Sequence, residues 1–219
     1  MADKAAMGVV DLMDLESVDS DHSLDILSQC RSNQGSCSQL SSQSSLKEII
    51  QNYSRQPDIR TKFTQRFDQG QLTRDEHPTS HFCVFFAGFD PEVKKIFLGH
   101  HIKADTWIFN GGHIDQGEAP RQTVEREMRE EWGEQIGPYQ ILEPNLLTIK
   151  EIENPRSNCR LHYDIWYFVR LNYRQFNPNP ELLTKEFYQF GWLDRQQAQQ
   201  IIIDPPAVKG AELIFSELI

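Results

Sequence analysis

Gly111-Gly112-His113-Ile114-Asp115-Gln116-Gly117-Glu118-Ala119-Pro120 runs on into Arg121-Gln122-Thr123-Val124-Glu125-Arg126-Glu127-Met128-Arg129-Glu130-Glu131-Trp132-Gly133. Pro120 suits the first turn of a helix and Gly133 its end, so the residues between them are expected to be helical, with Val124 and Met128 toward a core. On that helix Glu127, Glu130 and Glu131 stand at i, i+3 and i+4, which gathers three carboxylates on one face. Like charges so placed repel by a few tenths of a kcal/mol per pair, and the negative end of the helix adds to the cost. A compensating cation is therefore expected. Arg126 and Arg129 supply part of it, and three converging carboxylates are also hard oxygen ligands suited to Mg²⁺ or Mn²⁺. The glycines ahead of the helix let backbone carbonyls approach the same ion.

An acidic helix face by itself is an ordinary solvated surface; the spacing around it is what distinguishes this one. Gly112, Glu118, Arg126, Glu127, Met128, Glu130, Glu131 and Gly133 fall in a single register that closely resembles the Nudix box: Gly, five residues, Glu, seven residues, then Arg-Glu-aliphatic-any-Glu-Glu-any-Gly-aliphatic. The final position departs, with Glu134 where an aliphatic is usual, and Ile136 stands two residues on to supply that packing contact. The resemblance runs from about His77 to Asp194. Thr73-Arg74-Asp75, Leu98-Gly99-His100-His101 and His162-Tyr163-Asp164 are similar to a group of bacterial Nudix domain proteins.

What the resemblance implies is an α/β fold, a Nudix-type α/β/α sandwich with a mixed sheet, and Mg²⁺- or Mn²⁺-dependent hydrolysis of a phosphoanhydride bond. The substrate class is a nucleoside diphosphate linked to another moiety. Glu127, Glu130, Glu131 and a carbonyl of Gly111 or Gly112 would hold the metal, with Glu127 the first choice to orient or deprotonate the water. Some members use a carboxylate on a later loop for this role, for which Glu151, Glu153, Glu181 and Glu186 are the candidates here, and Arg126 would hold Glu118. The Ile149-Lys150-Glu151-Ile152 window lacks the proline or tyrosine that marks ADP-sugar or dinucleoside polyphosphate enzymes. The competing class is a non-catalytic Nudix-like module that binds a nucleotide and regulates a partner; a third is an isomerase of the same superfamily, for which Cys83 and Cys159 lack the motif context.

Outside the box, His81-Phe82-Cys83-Val84-Phe85-Phe86-Ala87 and Lys95-Ile96-Phe97-Leu98 read as a strand hairpin about Asp90-Pro91. Further strands are expected at Leu146–Ile152, Leu161–Leu171 and Phe187–Trp192, with helices after Asp194 and after Pro205-Pro206. His162 and Asp164 alternate with Tyr163 on a strand that also follows Arg160, so Arg160, His162 and Asp164 are candidates to line the cleft and, with His113, to bind substrate. His100, His101 and His113 lack ligand-like spacing, and zinc is not expected.

Ser17–Ser45 is dominated by serine, so residues 1–44 read as a disordered tail, with Val9–Leu15 a short amphipathic exception. Residues 45–219 read as the Nudix domain, with its core at about 77–195. Ser45-Leu46-Lys47-Glu48 has capping-box spacing and marks the first of two short helices, the second carrying Ile59, Phe63 and Phe67. A net charge of −10 argues against a surface for polymeric nucleic acid and leaves small phosphorylated partners. Four cysteines without close pairing, no basic-apolar leader and no membrane-length apolar run point to a cytoplasmic protein with reduced thiols, for which a homodimer is an acceptable state.

Overall fold

Ser80–Asp90 is apolar on both of its faces, which only the middle of a covered sheet can satisfy, and this strand (β1) lies at the centre of eight. The structure is a computed structural model that describes residues 34–155 and 157–219. Strand β7 (Leu161–Leu171) runs parallel to β1 in register from Ser80↔Leu161 to Phe89↔Arg170. The other edge of β1 has two antiparallel partners in succession. Strand β4 (Asn110–His113) lies opposite Cys83–Phe86, and β2 (Lys95–His101) opposite Gly88–Asp90. Strands β3 (Thr106–Ile108) and β8 (Phe187–Leu193) flank β2, while β6 (Leu146–Glu151) and β5 (Tyr139–Ile141) divide the outer edge of β7.

Alternation along β1 sends Phe82, Val84 and Phe86 to one face and Ala87 and Phe89 to the other. The first face packs against α1 (Gln34–Asn52), α2 (Pro57–Asp68) and α3 (Pro120–Glu131) through Leu46, Ile50, Phe63, Val124 and Met128. A short helix α4 (Pro180–Glu186) adds Leu183 to the same core. The second face packs Trp166 and Phe168 against α5 (Arg195–Ile201), α6 (Pro205–Leu213) and a π-helical turn at Ile214–Leu218. The result is the expected α/β/α sandwich with a mixed sheet. Among the described residues, no helix is long and apolar enough to cross a membrane.

Three local expectations change. Ser45 lies inside α1 rather than at its start: Ser42, Leu46, Ile50 and Tyr53 are all buried, so the packed stripe begins before the capping spacing and overrides the weak helix propensity of serine. Of the expected tail, residues 34–44 are helical, and Val9–Leu15 falls outside the described residues. Asn110–His113, where no strand was expected, is strand β4, because glycine lets its backbone lie close against β1. The three-residue β5, with only Ile141 buried, is too short for periodicity to register. The signals for α4 were present in the sequence: the Asn179 side chain caps the helix by accepting from Glu181 N–H, and Pro180 follows it.

Helix α6 approaches the sheet closely. A Cβ at Gly210 would lie 2.5 Å from Cζ3 of Trp166, a ring held by stacking on Phe85 at 4.4 Å and by its Nε1–H donating to Thr148 Oγ1. Gly210→Ala is accordingly expected to destabilise the protein by about 1–3 kcal/mol. The urea unfolding midpoint measures this, and an unchanged midpoint would mean that the ring can yield.

Candidate functional site

The three glutamates of α3 are in unlike surroundings. Glu127 lies against Gly112, where a Cβ would come within 1.8 Å of its Oε1, so glycine at 112 makes room for the carboxylate. Glu131 is 8% exposed; Asn110 Nδ2 and the Gly111 N–H both donate to its carboxylate. Glu130 is exposed. The left-handed Gly133, at φ +95°, ends the run beyond Trp132, whose buried ring fixes the last turn against Phe86 and Phe97.

Arg126 ties this helix to the loop before it. Its Nε and Nη2 donate to the two carboxylate oxygens of Glu118 at 2.9 and 3.1 Å, and Nη2 also donates to the His113 carbonyl at 3.0 Å. Nη1 donates to Glu127 at 2.9 Å and to Glu130 at 3.4 Å. Burial works against the charge of Glu118, but Arg126 and the Thr123 hydroxyl outweigh it and hold the carboxyl below its ordinary range.

Glu127 and Glu131 go the other way. Burial raises the Glu127 carboxyl despite Arg126, and raises Glu131 well above the ordinary range, reinforced by the charges of Glu127 and Glu186. Among the described residues no basic side chain forms an ion pair with Glu131, and the buried Asn110 Oδ1 beside it has no hydrogen-bond partner. A buried carboxyl without a cation, next to an orphaned carbonyl oxygen and a strand of glycines, is a donor set suited to a hard divalent ion. Glu127, Glu131 and the Gly111–Gly112 backbone fit such an ion, and Glu130 lies at the solvent edge.

A cleft of about 230 Å³ opens beside them. Glu131, Gly111 and Gly112 form one wall, Phe85, Ile108 and Phe109 an apolar one, and Lys103 and Lys150 bring positive charge. Lys150 pairs with buried Asp204, the cap of α6. Of the four later carboxylates, Glu186 is the one whose charge reaches Glu131; it sits 3.5 Å from His101 and 3.4 Å from Lys103.

The residues expected to bind substrate separate. His113 and His162 line the cleft. Asp164 is fully buried below it, accepting from Thr148 Oγ1 at 3.1 Å, and burial pushes its carboxyl up to about 7. Arg160 points away: its guanidinium donates to the carbonyls of Asn154, Ser157 and Cys159, which braces the loop before β7. Around His113 and His162 the structure brings in His81 and Cys83 of β1, which sequence reasoning left as strand residues. Burial, then the neighbouring imidazoles, depress His113 to about 3; burial and His81 depress His162 to about 4. Both rings are neutral at pH 7, and no spacing in one strand announces a partner eighty residues away.

The NUDIX domain family model matches residues 77–213. Among solved structures, the E. coli dihydroneopterin triphosphate pyrophosphohydrolase is 16% identical, over 61% of this chain and 94% of that one, with a TM-score of 0.51. A NUDIX-family hydrolase from Clostridium perfringens is 19% identical, over 60% of this chain and 94% of that one, with a TM-score of 0.47. The first shares the fold; the family match covers more than half of the chain and contains the whole of the glutamate helix and its glycine strand. The chain belongs to the NUDIX family of hydrolases, which cleave pyrophosphate bonds in small nucleotide derivatives and generally use divalent metal ions.

Proposed function

We propose that this protein hydrolyses a diphosphate bond in a nucleoside diphosphate linked to another moiety, with Mg²⁺ or Mn²⁺ held by Glu127, Glu130, Glu131 and a carbonyl of Gly112, in a cytoplasmic setting. The observation that carries the reading is Glu131, a buried carboxylate with no cationic partner among the described residues, lying beside a Glu127 carboxylate for which glycine at 112 makes room. When bound, the ion supplies positive charge against the phosphate oxygens. The chain's own groups do the rest. Lys103 and Lys150 attract the phosphates to the cleft, and Phe85, Ile108 and Phe109 offer an apolar wall to a base. Glu127, raised by burial toward neutrality, orients the water and takes its proton, and Glu186, whose charge reaches Glu131, is the candidate to share that work. Free, buried Cys83 and Cys159 suit a reducing compartment.

Glu131→Gln separates catalysis from folding. Gln keeps an acceptor for Asn110 and removes an ionisable group whose pKa is raised in the fold; at pH 7 such a group favours the unfolded state, so its loss stabilises. Turnover on a nucleoside-diphosphate panel with Mg²⁺ is expected to fall about 10²–10³-fold, while Tm holds or rises. EDTA is expected to abolish wild-type turnover. Activity that survives both treatments would sink the reading, and binding without turnover in the wild type would leave a nucleotide-binding regulator instead.

Arg126 acts through Glu118 rather than on substrate. Arg126→Ala leaves partly buried acceptors unpaired, at a cost of about 1–3 kcal/mol, and frees the loop at 114–118. Amide exchange in that loop is expected to quicken beyond the global change, and Arg126→Lys, which keeps the charge without the fork, to restore it only in part. A loop equally protected in all three proteins would remove Arg126 from its positioning role.

A further inference from the structure

On the sheet face opposite the Glu127 carboxylate, the strand register itself builds a second donor set. His81 and Cys83 stand two apart on β1, so their side chains share a face. His162 is the direct partner of His81 across the parallel pair, and His113 the direct partner of Cys83 across the antiparallel one. The three imidazole rings pack at centroid distances of 4.9, 4.9 and 5.2 Å. One donor atom from each of the four residues lies within 4.8 Å of all the others.

We propose that His81, Cys83, His113 and His162 form a binding site for a borderline-soft transition-metal ion, Zn²⁺ by class, distinct from the glutamate site.

A tetrahedral ion bonded at 2.0–2.3 Å has edges of about 3.3–3.8 Å, so closing the set moves each donor by about 1 Å, within the reach of side-chain rotation. The tautomer of His81 is prepared for this. His81 Nδ1 is 3.0 Å from the His77 carbonyl, which fixes the proton there and turns the Nε2 lone pair inward, as a ligating histidine is oriented by a carbonyl behind it. His162 Nε2 is buried and has no hydrogen-bond partner, which hydrogen bonding alone leaves unexplained and a metal bond satisfies. His113 Nε2 and His81 Nε2 face the same sulfur, Cys159 Sγ, at 3.9 and 3.6 Å, which makes that thiol the neighbour of the site. Arg74 Nη1 donates to His113 Nδ1 at 3.4 Å, so ligation through Nε2 requires the His113 proton to move to Nδ1 and this exposed guanidinium to turn outward. Three neutral imidazoles and one thiolate leave a Zn²⁺ complex with a single positive charge, and the buried Asp164 carboxyl, opposite Cys83 in the ladder, is placed to balance it.

Nitrogen and sulfur donors favour zinc over magnesium, whereas carboxylate and carbonyl oxygens suit magnesium. On this reading the ion pins β4 and β7 to β1, and it accounts for His113 and His162 in place of substrate contact. The proposal is independent of the hydrolytic one. The full chain, stripped of metal under reducing conditions, is titrated with Co²⁺. The expected result is a sulfur-to-cobalt charge-transfer band with the intense visible bands of tetrahedral cobalt, saturating at one ion per chain. Zn²⁺ should bleach it and excess Mg²⁺ should not. The band is expected to survive in Glu131→Gln and in Cys159→Ser, and to be lost in Cys83→Ser with the circular dichroism unchanged. A wild-type titration without the charge-transfer band overturns the proposal whether or not the variants fold, and so does a band that persists in Cys83→Ser.

Discussion

The parallel ladder between β1 and β7 is the constraint on which the rest of the molecule depends. It joins segments about eighty residues apart in the chain, and its register decides which side chains face which layer. Phe82, Val84 and Phe86 meet Ile165, Tyr167 and Val169 in the core under α1, α2 and α3. A slip of one residue would exchange that core with the polar set of His81, Cys83 and His162 on the opposite face. Because β7 occupies one edge of β1 completely, β4 and β2 have to share the other. The sheet opens where they part, and the glutamates of α3 reach that opening.

The box on α3 and the buried strands were legible in the sequence because each is a local pattern. Pro120 and Gly133 bound a helix whose spacing fixes three carboxylates, and alternation or continuous apolarity marks β6, β7 and β8 to within a residue and β1 to within three. The start of α1 was not legible, since its serines are helical only through the tertiary contacts of Ser42 and Leu46. Nor was the ordering of the candidate site. That Glu131 is sealed while Glu130 is exposed depends on where Asn110 and Gly111 lie. That Arg160 braces a loop while His162, two residues on, enters the cleft depends on where β7 begins its pairing.

Carboxylates in this site are held against their solution preference. Water would keep Glu131 ionised at neutral pH, and the fold places it where ionisation is costly unless positive charge arrives. The stability forgone there is part of the site's design, and it is offset by the aromatic packing of Trp132 against Phe86, Phe97 and Phe176 immediately beyond. The end of α3 thus carries an electrostatic cost and, in the adjoining Trp132, a firm anchor.

Gly112 and His113 face opposite sides of β4, one toward the Glu127 carboxylate and the other toward the imidazoles. The amide that joins them is planar and stiff. Two donor sets of different chemical character therefore hang from a single rigid plate, so a tilt that improves the geometry of one is imposed on the other, and the hard and soft sides of the sheet share one mechanical degree of freedom.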